Sequence, residues 1–256
     1  MTKRRKVVIT SVLLTLGLAS VILLQNSSRV YGILATSIFS LPLYYWSLSD
    51  VLRKNATLLV LVLPPLFTFG VGLFWFLLPS SVLTMLPILI LHGLGHYAVS
   101  LTANIFAVST IRTIALSRAA RGVGFVLTLF VAFLLFNAAL SLRTSPQLAA
   151  VLVFVSSAPL FLQALWSSEL TEKITSRLLV YTFLFSYGVT VLSVLLLFWP
   201  VSLIVGSLFL TIAVYVLLGL GQAQIEAKLF SRTVKEYLYI GLGVFLAMLL
   251  VTSWRG

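Results

Sequence analysis

Seven long stretches of the chain contain no Asp, Glu, Lys or Arg, and they limit what this sequence can fold into. Five are 18 to 25 residues long, and the other two, of 57 and 48 residues, are long enough for helical hairpins. A helix that crosses the hydrocarbon core of a bilayer needs about 20 apolar residues. The sequence therefore predicts nine membrane spans joined by short connections. The charge-free stretches are 7–28, 30–49, 55–111, 122–142, 144–168, 178–225 and 237–254.

The composition agrees with this class of protein. Of the 256 residues, 61% are hydrophobic, which is more than a soluble domain of this size carries. Nine spans leave too little chain for a separate soluble domain, so we predict a single transmembrane domain over 1–256. The chain has no cysteine, which excludes disulfides and thiolate sites. A net charge of +12 suggests nucleic acid in a soluble protein, but these charges follow membrane topology and we expect no nucleic-acid partner.

The positions of the charges predict the orientation in the membrane. Four basic residues, Lys3 to Lys6, precede the first span, so the N-terminus is expected in the cytoplasm. With two passes in each long stretch, 14 basic residues and all 5 acids fall inside, and only Arg29, Arg143 and Arg255 fall outside. Three passes in 55–111 would place 8 basic residues inside and 9 outside, which the positive-inside rule does not support.

The predicted fold is an all-α polytopic membrane bundle with a cytoplasmic N-terminus and an outside C-terminus. The first span also has the basic and apolar regions of a signal peptide, but no clear A-x-A site follows it. Loop 222–236 is predicted to continue as helix, because Arg232 and Glu236 can pair at i,i+4. The nine spans are approximately 7–24, 30–49, 57–78, 82–104, 122–141, 148–166, 178–198, 201–221 and 237–254.

His92 and His96 are the only histidines and the first candidate site. Their i,i+4 spacing places both on one helix face, about 6 Å apart. His92 lies roughly 15 Å into the fourth span at 1.5 Å per residue, and an ionisable residue at that depth is a functional hypothesis. The pair can serve a proton or solute path, or it can join helices by hydrogen bonds as ordinary packing. We expect both rings to be buried and to face neighbouring helices.

A metal or haem site is not predicted at this pair. Zinc needs three or four ligands, but no predicted span contains a carboxylate and the chain has no Cys and no third His. A zinc protease needs H-E-x-x-H, whereas His92 is followed by Gly93. We therefore predict no cofactor and no metal, and the missing acids and nucleophiles argue against an enzyme.

Prolines inside the predicted spans form the second candidate feature. Pro64 and Pro65 lie in the middle of the third span, and Pro87 lies in the fourth. Each lacks the backbone N–H that a helix needs, so we predict helix breaks there and a bend near Pro64-Pro65. Transporters place substrate beside such breaks, but prolines are also common in membrane helices without that role.

The third candidate is the basic inner loop that carries Arg112, Arg118 and Arg121. Guanidinium groups bind phosphate with two hydrogen bonds, so these residues can contact anionic lipid headgroups on the cytoplasmic side. The alternative is that they serve only as the positive charges that fix topology.

One part of the chain resembles known sequences. The stretch from Leu101 through Ile111 to Ile114 and on to Phe125, about 25 of the 256 residues, resembles a segment of multi-spanning proteins from candidate-phyla bacteria. Those proteins have no assigned activity. The resemblance implies a prokaryotic inner (plasma) membrane location and adds no mechanism.

Two classes of function stay open at this point. The first, which we favour, is a structural, assembly or lipid-interacting membrane component that packs against lipids, a membrane-protein partner or a second copy. The second is a small-solute or proton transporter or channel, with a path near the third and fourth spans. The sequence offers no carboxylate in a span for coupling to protons or sodium, which most secondary transporters use.

Overall fold

A computed structural model of the chain describes residues 3–21, 24, 26–52, 55–78, 82–110, 115–143 and 145–252. Every regular element in those residues is helical. They form a 3₁₀ helix, Asn55–Leu61, and nine α-helices. The α-helices are α1 Lys3–Ser20, α2 Asn26–Leu48, α3 Leu63–Phe76, α4 Val82–Ser109, α5 Ser117–Ser141, α6 Pro146–Glu169, α7 Ser176–Leu197, α8 Leu203–Ile225 and α9 Ser231–Val251.

Seven segments of the described chain are long and apolar enough to cross a membrane, by length and composition. The chain is therefore a helical membrane protein. α1 and α2 are not among the seven: α1 begins with four basic residues, and α2 has five serines and a threonine among its apolar residues. The seven are Leu58–Phe76, Met85–Ser109, Ser117–Ser141, Pro146–Glu169, Ser176–Leu197, Leu203–Ile225 and Ser231–Val251.

The helices run further at the charged ends than the charge-free stretches indicate. α5 begins at Ser117 rather than 122, and α9 begins at Ser231 rather than 237. Lys, Arg and Glu are good helix formers, so a helix need not end where its apolar part ends. The pairing of Arg232 with Glu236 is confirmed, with 3.0 Å between Nε and Oε1.

The prediction of one continuous helix through 222–236 is wrong. α8 ends at Ile225 and α9 starts at Ser231. Ala227 adopts a φ of 55°, and the Lys228 N–H bonds to the Ala223 carbonyl at 2.8 Å. This is the left-handed closure of a helix C-terminus, which helix propensity alone does not predict.

The chain forms two compact units. Unit 1 comprises Met1–Val131 and Leu170–Lys173, and therefore contains α1 to α4 and the first part of α5. Unit 2 comprises Ala132–Glu169 and Ile174–Gly256, with the rest of α5 and α6 to α9. In unit 2, hydroxyls fix the starts of two helices, because Thr175 accepts from the Leu178 N–H and Ser202 accepts from the Val205 N–H.

Glycines allow the helices of unit 1 to approach one another closely. A Cβ at Gly95 of α4 would lie 2.9 Å from Cε1 of Phe67 on α3. A Cβ at Gly72 of α3 would lie 2.6 Å from Cγ2 of Ile33 on α2. Small residues at such contacts are the usual means of packing helices in a membrane. Lipid tails are themselves apolar, so the burial of apolar side chains between helices contributes little free energy there.

Candidate functional site

His92 and His96 lie side by side on α4 at the centre of unit 1. Neither side chain has any accessible surface (0% for both), as expected from the sequence. Their Nε2 atoms are 3.2 Å apart. The ring centroids are 4.5 Å apart and the rings are nearly perpendicular, at 79°. The helical spacing of the two residues produces this contact directly.

Three other helices supply partners for the two rings. Tyr44 of α2 places its hydroxyl 3.0 Å from Nδ1 of His96. Thr68 of α3 places Oγ1 2.9 Å from Nε2 of His96. Thr15 of α1 places Oγ1 3.4 Å from Nδ1 of His92, the longest contact of the set. Each ring nitrogen therefore faces a polar atom, and the two histidines connect four helices.

The two threonine hydroxyls favour one placement of hydrogen on the rings. The Thr15 hydroxyl donates to the Ser11 carbonyl at 2.8 Å, and the Thr68 hydroxyl donates to the Pro64 carbonyl at 3.0 Å. A hydroxyl has one hydrogen, so both oxygens face the rings as acceptors. Nδ1 of His92 and Nε2 of His96 are then the donors.

The remaining nitrogens of the pair act as acceptors. Nε2 of His92 accepts from the Nε2–H of His96, which is shared with Oγ1 of Thr68. Nδ1 of His96 accepts from the Tyr44 hydroxyl. That hydroxyl has one hydrogen, which is shared between Nδ1 and the carbonyl oxygen of His96, both 3.0 Å away. With the Tyr44 hydrogen and the His96 Nε2 hydrogen each shared between two acceptors, one hydrogen on each ring serves every contact, which suits two neutral imidazoles.

Phe67 closes the cluster on one side. Its ring lies nearly parallel to that of His92, at 19° with centroids 5.8 Å apart. It meets the His96 ring edge-on, at 85° and 5.0 Å. Phe67 reaches this position because Gly95 has no side chain. Aromatic pairs in such geometries add about 0.5–1.5 kcal/mol beyond their buried area.

Two of the three candidate prolines lie at the start of a helix, and the third lies inside one. The helix changes at Val62, where the 3₁₀ segment gives way to α3, and Pro64 and Pro65 lie in the first turn of α3. A missing N–H costs little in a first turn. Pro64 also contributes to the site, because its carbonyl accepts a hydrogen bond from the Thr68 hydroxyl. Pro87 does not end α4, which continues to Ser109.

The basic residues of the inner loop follow the two histidines in the sequence and are not among the residues that contact their rings. Arg118 is exposed and Arg121 is half-buried, both in the first two turns of α5. Arg112 lies outside the described residues. Within the described part of the chain, no group of three or more His, Cys, Asp or Glu residues is placed to hold a metal ion.

Sequence reasoning did not identify Tyr44, Thr68, Thr15 or Phe67 as parts of this site. The available signal was a polar atom within each of three predicted spans. Hydroxyls are frequent in membrane helices and usually bond to their own backbone, so that signal does not separate these residues from other serines and threonines. Only the packing of the helices selects them.

The fold and the buried cluster define a polytopic helical membrane protein with a polar centre in its first unit. The chain belongs to the family described as "Protein of unknown function (DUF5656)", whose model matches residues 7–251. This agrees with the resemblance to proteins without an assigned activity. No curated protein and no solved structure matches the chain significantly.

Proposed function

We propose that the protein is a structural or assembly component of a membrane, in which the histidine cluster locks four helices together. The observation that carries this proposal is that both imidazoles lack accessible surface while every ring nitrogen has a protein partner. A transport site needs contact with water or solute in at least one state. Hydrogen bonds between membrane helices stabilise packing by about 0.6 kcal/mol each on average.

The proposed location is the plasma membrane of a prokaryote, with nine spans, the N-terminus inside and the C-terminus outside. Each predicted span overlaps one α-helix, and the charge distribution supports the orientation. Reporter fusions at residue 115 and after residue 256 test this topology. We expect the first to report the cytoplasm and the second the outside; two reports from the same side would refute nine spans.

The proposed partners are anionic lipids on the cytoplasmic side, together with a membrane-protein partner or a second copy. Arg118 is exposed in the first turn of α5, where a guanidinium can reach headgroup phosphates. Each basic residue close to an anionic membrane surface contributes about 1 kcal/mol. Arg112 and Arg121 belong to the same proposal from their places in the sequence.

A second candidate function is proton transport, which one feature of the cluster favours. With the hydrogens placed as the threonine hydroxyls favour, the hydrogen bonds run in one direction, from the Tyr44 hydroxyl through His96 to His92. They continue from Nδ1 of His92 to Thr15. Thr15 lines an apolar groove of about 460 Å³ between α1 and α4. Such a chain can pass a proton if the donors and acceptors exchange in sequence.

Proton flux in proteoliposomes distinguishes the two functions. Purified protein is reconstituted, a pH gradient is imposed with the membrane potential clamped, and a pH-sensitive dye in the lumen is followed. For a structural component we expect the rate of protein-free liposomes, for the wild type and for Tyr44→Phe alike. Flux above that rate which Tyr44→Phe reduces at least tenfold would replace the structural proposal with proton transport.

A further inference from the structure

Unit 2 contains a cavity of about 370 Å³ where α5 gives way to α6 and α7 gives way to α8. Its size lies within the range of about 300–1,000 Å³ that is usual for small-ligand sites. The four helices around it are all apolar enough to span a membrane. Its lining includes Arg143, Pro146, Leu196, Trp199, Leu203 and Gly206.

Arg143 provides the cavity's positive charge. It is exposed, and within the described residues its guanidinium makes no ion pair or hydrogen bond. Its φ of 45° is left-handed, and its N–H bonds to the Leu140 carbonyl at 3.3 Å. No acidic residue lines the cavity in the part of the chain that the structure describes.

The other walls are mainly apolar, and one of them is fixed in position. Leu196, Leu203 and Phe198 present hydrocarbon surface. The indole of Trp199 donates to Oγ1 of Thr252, just after α9, at 3.1 Å. Tryptophan prefers the headgroup level of a bilayer, where an apolar ring and a polar N–H are both accommodated. A single cation beside apolar walls matches an anionic headgroup joined to an acyl chain.

We propose that this cavity binds an anionic phospholipid, with Arg143 on the phosphate and part of an acyl chain against Leu196 and Leu203. The guanidinium fork can make two hydrogen bonds to one phosphate. The first turns of α6 and α8 border the cavity, and their partial positive charge adds to that of Arg143. Without a lining acid to pair with an ammonium group, the cavity favours an anionic lipid over a zwitterionic one.

Native mass spectrometry of the full-length protein tests this site. The protein in detergent is titrated with phosphatidylglycerol, and separately with phosphatidylethanolamine or inorganic phosphate. We expect Arg143→Gln to lose one bound phosphatidylglycerol and to raise the Kd of that site at least tenfold. Arg143→Lys should bind with intermediate affinity, because it keeps the charge and loses the fork. Wild-type binding of phosphatidylethanolamine should be at least tenfold weaker.

Arg29→Gln is the matched control. Arg29 is also predicted to lie outside, but it borders a space of only about 20 Å³ and its Nε donates to the Leu24 carbonyl at 2.9 Å. We expect no loss of lipid from this variant. Equal losses from Arg143→Gln and Arg29→Gln would overturn the site, and displacement of the lipid by millimolar inorganic phosphate would overturn a lipid as its ligand.

The triple replacement of Arg112, Arg118 and Arg121 by Gln separates this site from the proposed cytoplasmic contacts. It should reduce the number of other bound phosphatidylglycerol molecules and leave the Arg143-dependent one in place. If the triple variant instead removes the lipid that Arg143→Gln removes, the two sets of residues share one site and the proposal for the cavity fails.

Discussion

Replacing Gly95 by alanine should destabilise unit 1 by about 1–3 kcal/mol, the usual cost of overpacking a core. The added Cβ would meet the ring of Phe67, with Cε1 and Cε2 both at 2.9 Å. Phe67 cannot move away freely, because its ring also packs on both imidazoles. The expected result is a lower midpoint of thermal unfolding in detergent, measured by intrinsic tryptophan fluorescence.

Gly243→Ala is the control for this substitution. Apart from its own stretch of helix, no atom of the described residues lies within 4 Å of the position that its Cβ would occupy, and Gly243 is also inside an α-helix. Alanine is the better helix former by about 1 kcal/mol, so this variant should be neutral or more stable. Adding Phe67→Leu to Gly95→Ala should recover part of the loss. If Gly95→Ala matches Gly243→Ala, the close contact with Phe67 does not exist.

The positions of the helices follow closely from the sequence, for a physical reason. A stretch of chain without charges can lie in hydrocarbon, where the backbone must form a helix to satisfy its own hydrogen bonds. Each predicted span accordingly overlaps one α-helix. The ends of the helices are predicted less accurately from the sequence. α4 continues to Ser109 and α8 to Ile225, past the predicted ends at 104 and 221. Those ends depend on local caps and turns rather than on hydropathy.

The candidate site was only half predictable. The spacing of His92 and His96 fixes their mutual contact, because i and i+4 are neighbours on any helix. Tyr44, Thr68 and Thr15 come from three other helices, 52, 28 and 77 residues away along the chain from the histidines that they contact. Sequence periodicity gives the face of a helix that is buried but does not give the rotation of its neighbours.

Pro64 has a second role, through its backbone carbonyl, that the sequence does not indicate. The missing N–H of a proline indicates an interruption, and the 3₁₀ segment does end just before it. The structure adds a role for its carbonyl, which takes the hydrogen of Thr68 and so leaves the Thr68 oxygen to accept from His96. Backbone acceptors of this kind have no signature in a sequence.

Replacing His96 by phenylalanine should cost about 2–4 kcal/mol, whereas the same change at His92 should cost only about 1 kcal/mol. Without His96, Nε2 of His92 keeps no partner among the described residues, and a buried unsatisfied polar atom costs about 1–3 kcal/mol. Without His92, His96 still donates to Thr68 and accepts from Tyr44. The Thr15 hydroxyl keeps its bond to Ser11, so nothing is left unpaired.

The double variant makes this asymmetry a test of where the hydrogens lie. When both histidines are phenylalanine, the orphaned Nε2 of His92 is gone, so the double variant should cost about 1–2 kcal/mol less than the sum of the two single variants. Free energies of unfolding of the four proteins in mixed micelles give this coupling. Equal losses from the two single variants, with additive behaviour in the double, would mean that His96 does not donate to His92. The directed chain from Tyr44 to Thr15 would then be broken at its centre, and the proton-transport candidate would lose the feature that favours it.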